Sequence, residues 1–410
     1  MPKRSTDELF QLVKSLEKAE KRNFKLFVQR NATSSDMKTV QLFDALDKLE
    51  DYDEEALLKR NTDIKKQQLS NLKAHLYRQI LASLRILKDD NNIQLQLHEL
   101  MDYSRILYDK GLYLQSLKTL DRVKEYAREQ HQVTYWLQTL IFEKKIEALY
   151  ITRSMENRAE TLAKEVEEAG DRLTMMNKLS NLSLQLYSWY INLGHARGDK
   201  DRIAIKAFFE SNLPTTAGLY NGFYEKHYLY ESYCWYGFIL QDLLMYYRYC
   251  QKWVDAFEQE PLMKKVDTPL YIKGLHNLLN AHFVLQNYDK FNTVLDKFEH
   301  FYHSKQANSN DNNLVQCFIY LYTAKLNKHF LEGSFTAGLK LIPEIEEKII
   351  EFRLKMDRHR VLVFYYKIAC LYFGSGDNEK AIEYLNRIIN WKVDLRTDLQ
   401  CYSRLLHLIA

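Results

Sequence analysis

The stretch YYKIACLYFGSGDNEKAIEYLNRIIN, residues 365–390, decides the fold, because it contains two apolar helical stripes joined by a turn. By the i, i+3, i+4 spacing of a helix face, one stripe holds Tyr365, Ile368, Ala369 and Tyr372 and the other holds Ala381, Leu385 and Ile388. Gly376 suits the end of a helix, where φ is positive, and Asp377 suits the start of the next helix. This stretch predicts a helical hairpin.

Similar turns recur along the chain at nearly constant intervals. They fall at Gly111, Ser154, Gly198, Asp242, Gln286, Gly333 and Gly376, which are 43, 44, 44, 44, 47 and 43 residues apart. The turns at Ser154 and Asp242 are assigned mainly by interval. A fixed period of this length indicates stacked hairpins. Pro214 and Pro261 fall near the expected ends of second helices, whereas Pro343 falls inside one and should kink or split it.

The spacing resembles that of the tetratricopeptide repeat, in which a large residue, Leu-Gly and Tyr precede a Gly-Asp-like turn, and Ala, an aromatic residue or Leu, and Ala follow it. The matching positions are Tyr365, Ile368-Ala369, Tyr372, Gly376-Asp377, Ala381, Leu385 and Ile388. The family's proline is missing, and the period is longer than the usual 34 residues, as in long-helix relatives such as bacterial peptide-sensing regulators. The resemblance implies an all-α fold, a right-handed α-α superhelix of about seven hairpins over residues 91–394.

Both ends of the chain depart from this repeat. Residues 1–90 predict a small helical N-terminal domain that opens with a capping box of Ser5 and Glu8. Residues 395–410 predict a C-terminal helix that resembles the first helix of another hairpin and ends on apolar residues. Because a solenoid should end in a polar cap, this end predicts a longer chain, a covering partner or a homodimer.

Charge clusters in the N-terminal domain have two interpretations each. The first thirty residues contain eight basic and four acidic residues, which fits a nucleic-acid contact, although a solvated helix face is the commoner cause. The acidic residues in 47–55 lack the spacing of a calcium loop, so they predict the start of a helix.

Composition narrows the classes of protein. Gly and Pro number only 12 and 5 of 410 residues, which favours long helices. The net charge of +4 is too small to favour nucleic acid as a partner. The five cysteines never form a CxxC pair, which predicts neither disulfides nor zinc and fits a reducing cytoplasm. The start has no signal-peptide pattern and no apolar run reaches membrane length, so we expect a soluble cytoplasmic protein.

Motifs for catalysis are missing from the sequence. It contains no GxxxxGK[ST], GxGxxG, GxSxG or HExxH, so we expect neither an enzyme nor a metal or cofactor, with a hydrolase of unrecognised type as a third alternative. His300 and His303 lie one helical turn apart and are interpreted as surface residues. The tyrosine-rich residues 219–253 could stack nucleobases or line a groove, but core packing explains most of them.

The first helix of each hairpin should line a concave face. With each turn residue at place fifteen, place nine holds Arg105, Ala148, Asn192, Tyr236, Asn280, Asn327 and Cys370. An asparagine amide can pair with both polar groups of a peptide bond, and groove asparagines do so in peptide-binding members of the resembled family. The predicted binding residues are Lys144, Asn192, Lys273, His276, Asn277, Asn280, Phe283, Asn327, Phe330 and Phe373.

Within this set, Lys144, Lys273 and His276 should meet carboxylates, and the three phenylalanines, all at place twelve, should supply apolar contact. The family's complete lysine-asparagine clamp for a terminal carboxylate is not reproduced, because two repeats lie between those of Lys144 and Asn280. The sequence therefore predicts a non-enzymatic scaffold or adaptor that binds a protein or peptide. The alternative is a peptide-sensing regulator whose N-terminal domain contacts nucleic acid; steep salt dependence of binding would support it.

Overall fold

The computed structural model describes residues 7–30, 34–60, 64, 66–87, 92–150, 157–214, 222–391 and 397–410. Every regular element in these ranges is a helix, which confirms the all-α prediction. The chain divides into two compact units, Met1–Glu99 and Leu100–Ala410. Within the described ranges, none of the helices has the length and apolarity needed to cross a membrane.

The first unit is a cluster of helices around one apolar core. Its helices are α1 (Glu8–Ser15), α2 (Lys18–Arg30), α3 (Ser34–Lys48), α4 (Glu54–Arg60) and α5 (Lys66–Leu87). The long α5 packs on α1, α2 and α3, and the rings of Phe24 and Phe43 lie 4.7 Å apart in the buried centre. Helix periodicity of the apolar residues is sufficient to explain this core.

The starts of α1 and α4 show how polar residues set helix ends. Asp7 caps α1 by accepting bonds from the backbone N–H groups of Leu9 and Phe10, at 3.1 and 3.2 Å. The predicted capping residue, Ser5, lies outside the described residues. Asp53 caps α4 in the same way, with acidic residues in the first turn, so the helix-start interpretation of the acidic cluster is confirmed.

The second unit contains the hairpins. From α6, which begins in the first unit, its helices are α6 (Ile93–Asp109), α7 (Tyr113–Glu129), α8 (Val133–Leu149), α9 (Arg158–Leu193), α10 (Asp199–Asn212), α11 (Phe223–Leu240), α12 (Leu243–Gln259), α13 (Met263–Val266), α14 (Thr268–Val284), α15 (Tyr288–Tyr302), α16 (Asp311–Glu332), α17 (Phe335–Gly338), α18 (Ile342–Glu351), α19 (Arg358–Ser375), α20 (Asn378–Ile389) and α21 (Thr397–Ile409). The principal packing partners belong to the same hairpin or to successive ones: α9 packs on α11, α14 on α16, and α16 on α19.

Left-handed residues mark five of the predicted turns. Gly111, Gly333 and Gly376 have φ of 76°, 65° and 86°, and Gln241 and Gln286 adopt the same region with φ of 59° and 53°. Each lies between the two helices of a hairpin. The turns predicted near residues 111, 242, 286, 333 and 376 are therefore confirmed.

The segment between residues 154 and 198 departs from the predicted period. The turn at Ser154 lies outside the described residues, and α9 continues for 36 residues across the place where one hairpin should end and the next begin. The α9 sequence contains no proline, and its single glycine, Gly170, does not stop the helix. The helix ends instead at Gly194, with φ of 74°, while Gly198 is extended and precedes α10.

The prolines act at the places that the sequence predicts. Pro214 follows the last turn of α10, and Pro261 follows that of α12. Pro343 divides a second helix into α17, a 3₁₀ turn at Leu339–Leu341, and α18. The reason is that proline lacks the N–H group that an interior helix position needs but fits the first turn.

The tyrosine-rich residues 222–253 lie largely in the core. Tyr224, Tyr246 and Trp253 are buried, and Cys234 and Cys250 lie between α11 and α12. The packing interpretation of this stretch is confirmed for its described part.

Candidate functional site

Five of the predicted binding residues lie along α14, but the contacts of three of them are internal. Lys273 Nζ lies 2.6 Å from Glu231 Oε1 of α11. Asn280 donates its side-chain amide to the Tyr246 hydroxyl, which donates to the backbone carbonyl of Asn277, at 3.3 Å in each case. These contacts join α14 to the preceding hairpin. The place-nine amide of Asn280 therefore has a structural partner already.

The fourth residue, His276, forms part of an aromatic stack. Its ring lies 4.2 Å from that of Tyr320 on α16, at an interplanar angle of 17°. Arg360 of α19 donates to the Tyr320 hydroxyl at 3.1 Å, with its guanidinium 5.1 Å from the ring centroid. Burial and the nearby charges of Arg360, Lys367 and Lys273 lower the pKa of His276 to about 3, so the imidazole is neutral at pH 7.

Lys367, on α19, is the cation that the sequence prediction missed. Its ammonium donates to Asn327 Oδ1 at 2.6 Å and lies 5.5 Å from the ring centroid of Phe330. Among the described residues, no carboxylate lies within 4 Å of Lys367 Nζ. Burial lowers the pKa of this half-buried lysine to about 8. An amide oxygen and an aromatic face stabilise the ammonium less than a carboxylate would.

We name the set His276, Tyr320, Asn327, Arg360 and Lys367 the cationic cluster. It joins α14, α16 and α19, which are the first helices of three successive hairpins. Among the described residues, the cluster has one carboxylate within 4 Å of its cations, that of Asp357, which lies 3.9 Å from Arg360 Nε. The cluster therefore carries an excess of positive charge that no described residue neutralises through an ion pair.

Two other predicted residues lie elsewhere, on α8 and α9. Lys144 is exposed on α8, and Asn192 is exposed near the end of α9, where its amide donates to Ser188 at 3.3 Å. The structure does not bring either residue to the cationic cluster. It does place Asn192 beside an apolar surface that the sequence prediction overlooked.

This apolar surface is a stripe along α9. Leu184, Tyr187 and Ile191 are 64%, 43% and 61% exposed, and their spacing of three and four residues places them on one helix face. The opposite face of the same helix is buried through Leu182 and Leu186. We call these three exposed residues the α9 stripe.

The three phenylalanines predicted at place twelve are half-buried. Phe283 and Phe330 pack against the main apolar core of the second unit. Phe330 also faces a cation, because the Lys367 ammonium lies 5.5 Å from its ring centroid.

The cysteines and histidines show no catalytic or metal-binding arrangement in the described ranges. Cys234 Sγ lies 3.6 Å from Cys250 Sγ, and burial raises the pKa of Cys234, which disfavours a nucleophilic thiolate. No group of three or more metal-ligating side chains occurs among residues whose placement the structure gives. His300 and His303 are both exposed. The hydrolase alternative stays a prediction without further support.

The basic residues of α2 in the first unit are partly neutralised. Lys21 lies 2.6 Å from Asp47, and Lys25 lies 2.7 Å from Asp44 on α3. Pairing of this kind weakens the field that a nucleic-acid contact requires. The regulator alternative stays a prediction, as does a homodimer through α21, although that helix exposes Tyr402, Leu405 and Leu408.

The chain matches no family model, and no curated protein matches it. The function is therefore argued from the contacts and charges of the second unit.

Proposed function

We propose that the second unit is a right-handed, tetratricopeptide-like stack of hairpins that binds a peptide segment of a partner protein, and that the chain acts as a non-enzymatic scaffold. The observation that carries the proposal is the α9 stripe, with support from the packing of each hairpin on the next. The repeat family, the handedness of the stack and a location in the cytoplasm belong to this proposal.

The exposure of the α9 stripe supports a role in binding another protein. Leu184 and Ile191 are each more than half exposed on a helix whose other side is packed. Contiguous exposed apolar residues are typical of interaction surfaces. Covering one such side chain contributes on the order of 1 kcal/mol, at ~25 cal/mol per Å² of apolar area. Two or three of them can anchor a short segment of another protein.

Charge complementarity identifies the kind of segment. The cationic cluster carries its positive charge on α19, through Arg360 and Lys367. Lys144 does not contribute to this charge, because its neighbour Glu143 contacts Arg158 at the start of α9, far from the α9 stripe. A peptide with apolar side chains and acidic residues would complement both the α9 stripe and this charge. Nucleic acid would need a longer row of unpaired cations.

Selection from random peptides tests this proposal. Peptides of about sixteen residues are displayed and selected on the immobilised full chain, and the Kd of the winners is measured by fluorescence anisotropy. We expect peptides with apolar residues to be selected. Replacing Leu184 and Ile191 with serine should weaken their binding by roughly 10- to 100-fold, because two anchors are lost.

Ile203 offers a matched control for this experiment. It is 69% exposed on α10, outside the α9 stripe. Ile203→Ser should leave the Kd unchanged, since an isolated exposed apolar residue has no role in the proposed contact. Equal binding by the double variant and the native chain would contradict the assignment of the stripe, and failure of any peptide to bind the native chain would contradict the proposed function.

A further inference from the structure

The cationic cluster contains a charge whose counter-charge is not in the described protein. Lys367 donates one bond, to Asn327, although an ammonium can donate three. Lys273, at the edge of the cluster, differs because Glu231 is 2.6 Å away. Lys367 therefore has unused donors and an uncompensated charge on a face of first helices that the proposed function assigns to a peptide.

We propose that the cationic cluster binds a carboxylate of that peptide, with Lys367 as the principal donor and Arg360 as the second cation. This inference rests on the proposed function and specifies the chemistry of its ligand. Asn327 orients the ammonium through its side-chain oxygen, and the stack of His276 on Tyr320 positions the hydroxyl that accepts from Arg360. A charge-assisted bond to a carboxylate would replace the weaker stabilisation by the amide and the ring of Phe330.

A carboxylate matches the charge of the cluster better than a phosphate does. The Arg360 guanidinium has the Asp357 carboxylate 3.9 Å away. Of the two cations in the cluster, Lys367 is therefore the one without a described carboxylate within 4 Å. One monovalent anion neutralises one ammonium, whereas a phosphate carries about −1.5 to −2 charges and would leave an excess on the ligand. His276 is neutral at pH 7 and supplies no further positive charge.

Selection on a charge-removing variant tests the inference. Lys367→Gln removes the charge and keeps an N–H donor for Asn327. Lys380→Gln is the control, because Lys380 is exposed on α20, the second helix of the same hairpin. We expect peptides selected on the native chain and on the control to share Asp or Glu at one position relative to the apolar anchor. Peptides selected on Lys367→Gln should lose that preference and keep the anchor.

A selected peptide then gives a second measurement. Changing its acidic residue to the amide should weaken binding to the native chain by roughly 10-fold and weaken binding to Lys367→Gln much less, because the principal donor is already absent there; this difference is the signature of a direct pair. A peptide with an amidated C-terminus separates a terminal carboxylate from a side-chain carboxylate. Affinity should fall as the pH rises through about 8, where Lys367 loses its proton.

The outcomes separate the two proposals. Peptides that bind through the α9 stripe but show no acidic preference on the native chain would overturn the carboxylate site and leave the proposed function in place. An acidic preference that survives unchanged on Lys367→Gln would also overturn it. If no peptide is selected on the native chain, the proposed function itself fails.

Discussion

Two basic regions of this protein differ in where their acids lie. In the first unit, Lys21 and Lys25 of α2 each have an aspartate within 2.7 Å. In the second unit, Lys367 of α19 has an amide oxygen and an aromatic ring instead. The basic residues of α2 are closely spaced in the sequence, where a solvated helix face was the favoured interpretation over a nucleic-acid contact. Pairing with aspartates across helices, which the linear pattern does not show, agrees with that interpretation.

The two basic regions also differ in how their charges affect the free energy of unfolding. An exposed pair such as Lys25–Asp44 contributes roughly 0–1 kcal/mol to stability, so α2 gains little and loses little. A half-buried lysine without a carboxylate lowers the stability of the folded chain, as the reduced pKa of Lys367 indicates. Side chains that lower stability are common at binding sites. This contrast makes Lys367 the more informative position to change.

We expect the largest effect on stability from a substitution that removes a buried charge with ionic partners. Glu143 of α8 is fully buried and contacts Arg158 of α9 at 2.5 Å and Lys124 of α7 at 3.7 Å. Glu143→Gln leaves Arg158 without its closest carboxylate and Lys124 with Glu165 and Asp121 alone, so we expect the free energy of unfolding to fall by roughly 3 kcal/mol. Urea denaturation followed by circular dichroism measures the change.

Glu383 provides the control for this substitution. It is exposed on α20 and pairs with Lys380 and Arg387 at the surface. Glu383→Gln should not change the urea midpoint measurably, because solvent screens such pairs. A Glu143→Gln variant as stable as the native chain would show that the buried charges of α7, α8 and α9 do not stabilise this part of the stack.

Periodic apolar residues made the helices and most turns predictable. The stripes in residues 365–390 and the spacing of the turns locate five hairpins correctly, and Pro343 locates a break in a helix. The 36-residue α9 was not predictable from the period, since nothing in its sequence stops the helix where the repeat would. Local sequence signals thus predict local structure. A repeat period predicts a turn wrongly where the sequence contains no residue that ends the helix.

The binding residues were less predictable for a different reason. Place nine selects Asn327, but the partner of that amide, Lys367, comes from the next hairpin and occupies place six. Asn280 occupies the same place as Asn327 and yet bonds to the buried Tyr246. Position on a helix face predicts which way a side chain points, whereas its partner depends on packing between hairpins. The sequence signal that could have identified Lys367 is its position as a lysine in the otherwise apolar stretch YYKIAC, residues 365–370.

Lys367→Gln should have the second largest effect, and its sign should be opposite to that of Glu143→Gln. At pH 7 we expect the variant to be more stable than the native chain by about 1 kcal/mol, because an uncompensated charge is removed while a donor to Asn327 remains. Urea denaturation of both proteins at a series of pH values measures the difference.

The pH dependence of this difference follows from the lysine. The pKa of Lys367 is about 8 when folded and 10.5 in the absence of burial, so the unfolded chain binds more protons between these values. The stability of the native chain relative to the variant should therefore rise from pH 8 to about 10.5, and the advantage of the variant should disappear there. A variant that is less stable at every pH would mean that the lysine is a structural residue.

Lys21→Gln in the first unit should have the smallest effect and again the opposite sign. It removes a partly exposed pair with Asp47, so we expect a loss of at most about 0.5–1 kcal/mol, reduced further by 0.5 M salt, which shortens the screening distance. Peptide binding should be unchanged, whereas Lys367→Gln should stabilise the fold and lose the acidic preference. If Lys21→Gln also raised stability, unpaired charge would not be what distinguishes the two regions, and the argument for a ligand at Lys367 would lose its basis.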